Sequence, residues 1–285
     1  MLQRLPRASF RLILASLILT SMLLLCCAFA AAATLQFGTR SLNVPEPQGY
    51  TPLSAVSPRY MQIAQAYLPA TNRLVEAYAT PADAKALSEG RSASLDRYLQ
   101  LQAPRAAEGT PISEQEFTEA GKEMEAQFES TVRNSKDIVD DVAQKGNAEI
   151  KRITSTDPKV AVSGMEYLGA YRREPWGLFF TIKTGVSAGD GGKQSLVCAG
   201  ALVMINYQLL FMYSYAHYHD SGDREWAEQA TSAWADAVRA ANPNDPAVAA
   251  KVKHGFFGGS LLRNTLIGAI IGGLVGLFAK IFRKS

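Results

Sequence analysis

A chain of 285 residues has room for at least one full domain, and its formal charge of +3 is carried by its ends. Residues 1–33 hold three arginines, residues 260–285 hold four basic side chains, and neither stretch has an acid; the other 22 cations face all 26 acids, a net of −4. A mildly acidic body has no basic footprint for nucleic acid, so DNA and RNA are excluded as expected partners.

Arg4, Arg7 and Arg11 precede a charge-free run from Leu12 to Ala33 that closes on small residues, with Ala28-Phe29-Ala30 or Ala30-Ala31-Ala32 as cleavage tripeptides. The reading for 1–33 is a secretory signal peptide. The run is also long enough to cross a bilayer, which needs roughly 20 residues, so an uncleaved signal anchor is the alternative. Both export the body of the chain. A lipoprotein signal does not fit, because Cys26 and Cys27 follow Leu25 and Cys26 where a small residue belongs. The remaining thiol, Cys198, sits in an apolar setting and reads as core.

Residues 34–243 are expected to form one exported domain. Leu35 to Phe37 and Ser41 to Val44 read as strands, stopped by Pro45, Pro47 and Gly49. Ser57-Pro58 starts a helix with Tyr60, Ile63, Ala64 and Tyr67 at helical spacing. Asn72 to Thr80 is a strand, Thr80-Pro81 opens a short helix to Gly90, and Arg97 to Leu101 is a strand. Ser113-Glu114-Gln115-Glu116 is a capping box before a long helix whose stripe is Phe117, Ala120, Met124, Phe128 and Val132. A second helical segment carries Ile138, Val139 and Val142 and is expected to end at Gly146. Its acids Asp137, Asp140 and Asp141 read as a solvated face.

After Asp157-Pro158 the pattern turns to β, with strands expected over Val160 to Tyr171, Trp176 to Val186 and Ser195 to Ile205. Asn206-Tyr207 turns the chain into a further strand with Leu209, Phe211, Tyr213, Tyr215 and His217 on one face. Leu210, Met212, Ser214 and Ala216 fall on the other, which predicts a central strand covered on both sides. Asp223 is expected to cap a helix carrying Trp226, Ala230, Ala233, Trp234, Ala237 and Val238, ending before Asn242-Pro243. Such short connections between β-runs require antiparallel pairing. The class is α+β, a mostly antiparallel sheet flanked by helices.

The start Leu42-Asn43-Val44-Pro45 through Gly49-Tyr50, and the finish Asn206-Tyr207-Gln208-Leu209-Leu210 into an aromatic strand and a Trp-bearing helix, resemble the PsbP and Mog1 α/β/α sandwich. The resemblance covers most of the body, without the Ser113 to Gly146 helices or the C-terminal segment. It implies an interaction or assembly module more often than an enzyme, and it assigns no functional residue.

Two stretches could carry chemistry. In His217-Tyr218-His219-Asp220 the histidines are two apart, so on a strand they share a face and offer two metal-ligand nitrogens, with Asp220 or Asp223 as a third ligand. In Tyr171-Arg172-Arg173-Glu174-Pro175-Trp176, Arg172, Arg173 and Trp176 form a candidate ligand or partner patch, with a salt-bridged turn as the alternative. No phosphate-binding glycine loop, Cys-x-x-Cys or His-Glu-x-x-His occurs, so neither an enzyme nor a cofactor is expected.

At the C-terminus, 244–260 reads as a tether, 261–282 as a transmembrane helix and 283–285 as a basic cytoplasmic tail. The run from Asn264 to Ala279 is uncharged, and Gly268, Gly272 and Gly276 recur every fourth residue, so on a helix they form a stripe for close helix approach. The sequence therefore predicts a non-enzymatic periplasmic binding or assembly module. It is held in the inner membrane with its C-terminus in the cytoplasm, and the glycine stripe serves a homo-oligomer or a partner membrane protein. The alternatives are a metal-binding protein or metal-dependent enzyme using His217 and His219, and a glycine-rich helix that permeabilises membranes.

Overall fold

Alternating bulky residues punctuated by turn formers give the body its strands. The computed structural model describes residues 32–155, 157–189, 191–252 and 268. The expected signal segment up to residue 31, the basic tail and all of the expected transmembrane helix except Gly268 lie outside the described residues. Among the described residues no helix is long and apolar enough to cross a membrane.

Strands β1 (Ala32–Phe37) and β2 (Arg40–Pro45) form a hairpin of their own. Ala32 and Ala33, read above as the end of the signal segment, are the first residues of β1. The remaining strands are β3 (Thr51–Pro52), β4 (Asn72–Ala79), β5 (Arg97–Pro104), β6 (Ala161–Glu174), β7 (Gly177–Ala188), β8 (Gly191–Ile205) and β9 (Gln208–His217). They make one sheet, entirely antiparallel, in the order β3-β4-β5-β9-β8-β7-β6. The edges are a two-residue strand on one side and, on the other, β6, whose pairing with β7 is broken by three register shifts. Short or bulged edges resist unwanted strand pairing.

The central position of β9 follows from its two apolar faces. Leu209, Phe211, Tyr213 and Tyr215 join the larger core, and Leu210 and Met212 join the smaller one across the sheet. The β8–β9 turn is Asn206-Tyr207, with φ of 45° and 65°. Positive φ at both positions marks a primed hairpin turn, whose twist matches that of the strands.

Helices α1 (Pro58–Ala66), α2 (Pro81–Ser88), α3 (Glu114–Asn134) and α4 (Lys136–Thr154) cover one face. Each of the first three starts where the sequence signals it: Ser57 and Thr80 cap the α1 and α2 N-termini ahead of proline, and Ser113 and Glu116 complete the capping box of α3. Helix α5 (Ser221–Ala240) and the β1–β2 hairpin cover the other face, where Trp234, Ala235 and Val238 meet Phe37, Leu42, Val44, Leu210 and Met212. A four-residue α6 (Pro246–Ala249) follows α5.

Three local expectations give way to packing. Helix α4 runs straight through Gly146, because that glycine lies against the ring of Tyr67, and Ile138 points outward while Val139, Val142, Ala143, Gly146 and Ile150 form the buried stripe. The cap of α5 is Asp220, whose carboxylate accepts from the Gly222 N–H at 2.8 Å; Asp223 lies within the first turn. The buried stripe of α5 is Ala227, Thr231, Trp234, Ala235 and Val238, which leaves Ala233 and Ala237 exposed. The first residues of the expected tether lie on the body's surface: Asn244 donates to Glu114 Oε1 at 3.0 Å, and the Asp245 N–H donates to Asn206 Oδ1 at 2.9 Å.

Candidate functional site

The β6–β7 connection is the two-residue turn Pro175-Trp176, and strand alternation sends the arginines before it to opposite sides of the sheet. Arg172 reaches α5, where its Nη1 and Nη2 donate to both carboxylate oxygens of Asp236 at 2.8 and 2.9 Å and its Nε donates to Glu174 at 3.0 Å. Arg173 reaches α3, where its Nε lies 2.8 Å from each oxygen of Glu125. The three expected patch residues therefore divide: Arg172 and Trp176 stay together, and Arg173 does not join them.

Trp176 is held between two cations. The Arg172 guanidinium lies 5.4 Å from its ring centroid and that of Arg239 lies 4.6 Å away. The indole is 5% exposed, so the arginines act as a lid over a core residue. Hydrogen bonding to Asp236 holds the Arg172 guanidinium above its ordinary pKa, and Arg173 draws the Glu125 carboxyl below the usual carboxylate range. An anionic ligand would have to displace carboxylates already in place.

His217 closes β9, and the chain leaves the strand immediately after it. The period-two argument for a shared face therefore fails between His217 and His219, whose ring centroids stand 6.4 Å apart. Nδ1 of His217 lies 3.2 Å from Asp96 Oδ1, and its backbone N–H donates to the Asp96 carbonyl at 3.1 Å. The His219 N–H donates to Asp223 Oδ2 at 2.9 Å, and Asp223 Oδ1 accepts from Arg97 at 3.1 Å. Asp220 and Asp223 thus serve the start of α5. Among the described residues no group of three or more His, Cys, Asp or Glu is arranged to hold a metal ion.

The same end of the sheet presents a group that the sequence did not mark as a site. Trp226, expected as an inward anchor of α5, is half-buried, with the Arg97 guanidinium 4.7 Å from its ring centroid and Tyr50 at 6.3 Å. Tyr218 lies against the same small apolar cluster as Trp226 and carries Lys183 Nζ at 4.0 Å. These aromatics and cations come from five separate segments, so no local spacing could announce them.

Of the glycine stripe, Gly268 is described and Gly272 and Gly276 are not. Gly268 is helical and buried, and its carbonyl accepts from Asn72 Nδ2 at 2.9 Å.

No protein-family model matches the chain, and no curated protein matches it. Solved structures similar to it include a Mog1 point mutant, at 10% identity and a TM-score of 0.27 over 74% of this chain and 93% of that one. Cyanobacterial PsbP (CyanoP) from Synechocystis sp. PCC 6803 gives 12% identity and a TM-score of 0.26 over 77% and 97%. The Saccharomyces cerevisiae Ran-binding protein Mog1p gives 12% identity and a TM-score of 0.23 over 75% and 93%. These are the two groups that the sequence resembles, and the likeness is too weak to assign a role to any residue.

Proposed function

We propose that this chain is a non-enzymatic binding or assembly module, exported to the periplasm and anchored in the inner membrane by its C-terminal segment, with its C-terminus in the cytoplasm. The observation that supports binding is the half-buried group of Tyr50, Trp226 and Tyr218 with Arg97 and Lys183 over the rings. Trp, Tyr and Arg are the residues that carry most of the energy in protein interfaces, because they bury large area while keeping a polar edge. The uncharged run 264–279 closed by Lys280, Arg283 and Lys284 supports anchoring. Within the bilayer, the stripe of Gly268, Gly272 and Gly276 would mediate association with a second copy or another span.

The test is site-specific photo-crosslinking in membranes, with the photoreactive side chain at position 226 and a control at Glu225. A discrete adduct at 226 that Arg97→Ala weakens is the expected result. Indistinguishable patterns at 226 and 225 would remove the binding surface, and a chain released from membranes by alkaline extraction would remove the anchor.

A further inference from the structure

Among the described residues the two sheets have four edge strands, β1, β2, β3 and β6, and three of those edges are blunted or covered. β3 is two residues long, and β6 is broken by three register shifts and by the positive φ of Gly164 and Gly169. The outer edge of β2 is covered at Asn43 and Pro45. Asn242 Oδ1 accepts from the Asn43 N–H at 2.8 Å, Asn242 Nδ2 donates to the Asn43 carbonyl at 2.6 Å, and Trp234 Nε1 donates to the Pro45 carbonyl at 3.0 Å. The edge of β1 is treated differently.

Which groups β1 leaves over follows from its register. Asn43 turns its N–H and C=O away from β1 to reach Asn242, so Thr34, which stands opposite it, turns its own away from β2; antiparallel alternation does the same at Ala32 and Gln36. The Gln36 carbonyl is taken by Arg73 Nη2 at 2.8 Å. Among the described residues nothing bonds the outward N–H and C=O of Ala32 and Thr34. The side chains of Ala32, Thr34 and Gln36 are exposed, the pairing with β2 runs through six residue pairs without a shift, and the strand carries no charge and no proline.

We infer that this edge pairs antiparallel with the β1 edge of a second copy of the chain, Thr34 of each copy opposite Ala32 of the other, with a twofold axis at Ala33. The occupant follows from the edge itself. With the Gln36 carbonyl closed by Arg73, positions 32 and 34 are the ones that still offer both a donor and an acceptor. Two such edges related by a twofold satisfy each other: four N–H···O=C bonds form and no outward group at 32 or 34 is left over. The residues brought face to face are alanine and threonine, so no like charges meet. A longer strand of another protein would run into Arg73 beside Gln36. The pairing goes beyond the proposed function, because it places self-association in the exported body and needs neither the anchor nor the glycine stripe.

Ala33 turns its N–H and C=O toward β2, so across the axis it meets its copy as a non-hydrogen-bonded pair, with Cα atoms about 4.5 Å apart and within the span of a disulfide. The experiment uses the full chain carrying Cys26→Ser and Cys27→Ser, in intact cells treated with copper phenanthroline, and reads disulfide-linked dimer on non-reducing gels. It reports the pairing whether or not the chain is anchored. Ala33→Cys is expected to give the dimer, and Ser41→Cys, exposed on the far strand of the hairpin, is expected to give none. Adding Thr34→Pro to Ala33→Cys is expected to lower the yield about tenfold or more, since it removes two of the four bonds between copies and none within the hairpin. Thr34→Lys keeps the backbone donor and puts a charge on the shared edge, and is expected to lower the yield as well. Equal dimer at Ala33→Cys and Ser41→Cys, or a yield that neither Thr34 variant moves, overturns the pairing. A disulfide from Ala33→Cys to a protein other than this chain overturns the second copy as occupant.

Discussion

Gly146, in the middle of α4, lies flat against the ring of Tyr67 just past the end of α1: a Cβ at position 146 would fall 2.1 Å from Cδ1 and 2.4 Å from Cε1. The tyrosine is fixed on its other side, since its hydroxyl bonds to Asn147 Oδ1 at 3.0 Å while the Asn147 side chain also holds both backbone groups of Val160. Two helices and the entry to β6 thus converge on one residue without a side chain.

This juxtaposition sets the sign of a substitution. In an exposed helix Gly→Ala stabilises by about 1 kcal/mol. At 146 the ring cannot retreat without losing Asn147, so Gly146→Ala is expected to destabilise by about 1–3 kcal/mol, the cost of overpacking. Urea denaturation followed by far-UV circular dichroism would measure it, and a gain in stability would show that α1 and α4 are not in close contact.

The two tryptophans of α5 separate in the same way. Trp234 is 3% exposed, donates from Nε1 to the Pro45 carbonyl at 3.0 Å and meets Tyr78 edge-on at 5.2 Å. Trp234→Ala is expected to cost about 3–5 kcal/mol. Trp226 lies half-buried under Arg97, so Trp226→Ala is expected to cost less than half as much. Equal losses in a denaturant titration would place Trp226 in the core and remove it from the surface group.

How much of this was legible depends on what each residue answers to. Ser57, Thr80, Ser113 and Glu116 act within one turn of chain, and the helix starts they predict are present. The alternation of β9 needs two faces and nothing else, so its central place was readable from ten residues. Gly146 answers to a ring 79 residues away along the chain. A glycine chosen for close approach reads like a stop when its partner is out of view. The same blindness applies to Arg172, whose partner Asp236 lies 64 residues on, and to Arg97 and Trp226. Alternation alone, by contrast, could have separated Arg172 from Arg173.

Asp223 ties stability to acid. Partial burial works to raise its carboxyl, but the His219 N–H and the Arg97 guanidinium outweigh it, and the pKa falls below the ordinary aspartate value. A group whose folded pKa is depressed adds stability that is fully present above its unfolded pKa and is lost as pH falls through the folded value. The contribution therefore belongs above about pH 4 and disappears below it. Asp223→Asn is expected to flatten that limb in thermal melts between pH 3 and pH 6, and an unchanged acid limb would detach Asp223 from Arg97.

Cys198 supplies a test of the core between β7 and β9. The thiol is 1% exposed on β8, where burial pushes its pKa well up despite the hydroxyl of Tyr215. Since the thiolate is the reactive form, Cys198 is expected to resist maleimide at pH 8 in the folded chain and to react within minutes once urea unfolds it. The measurement uses Cys26→Ser with Cys27→Ser, so that one thiol remains. Labelling of the native chain at the rate of a free thiol would mean that β8 opens readily. Because β8 lies between β9 and β7, such opening would undo the ladders that set Cys198 opposite Tyr215 on β9 and Ile182 on β7.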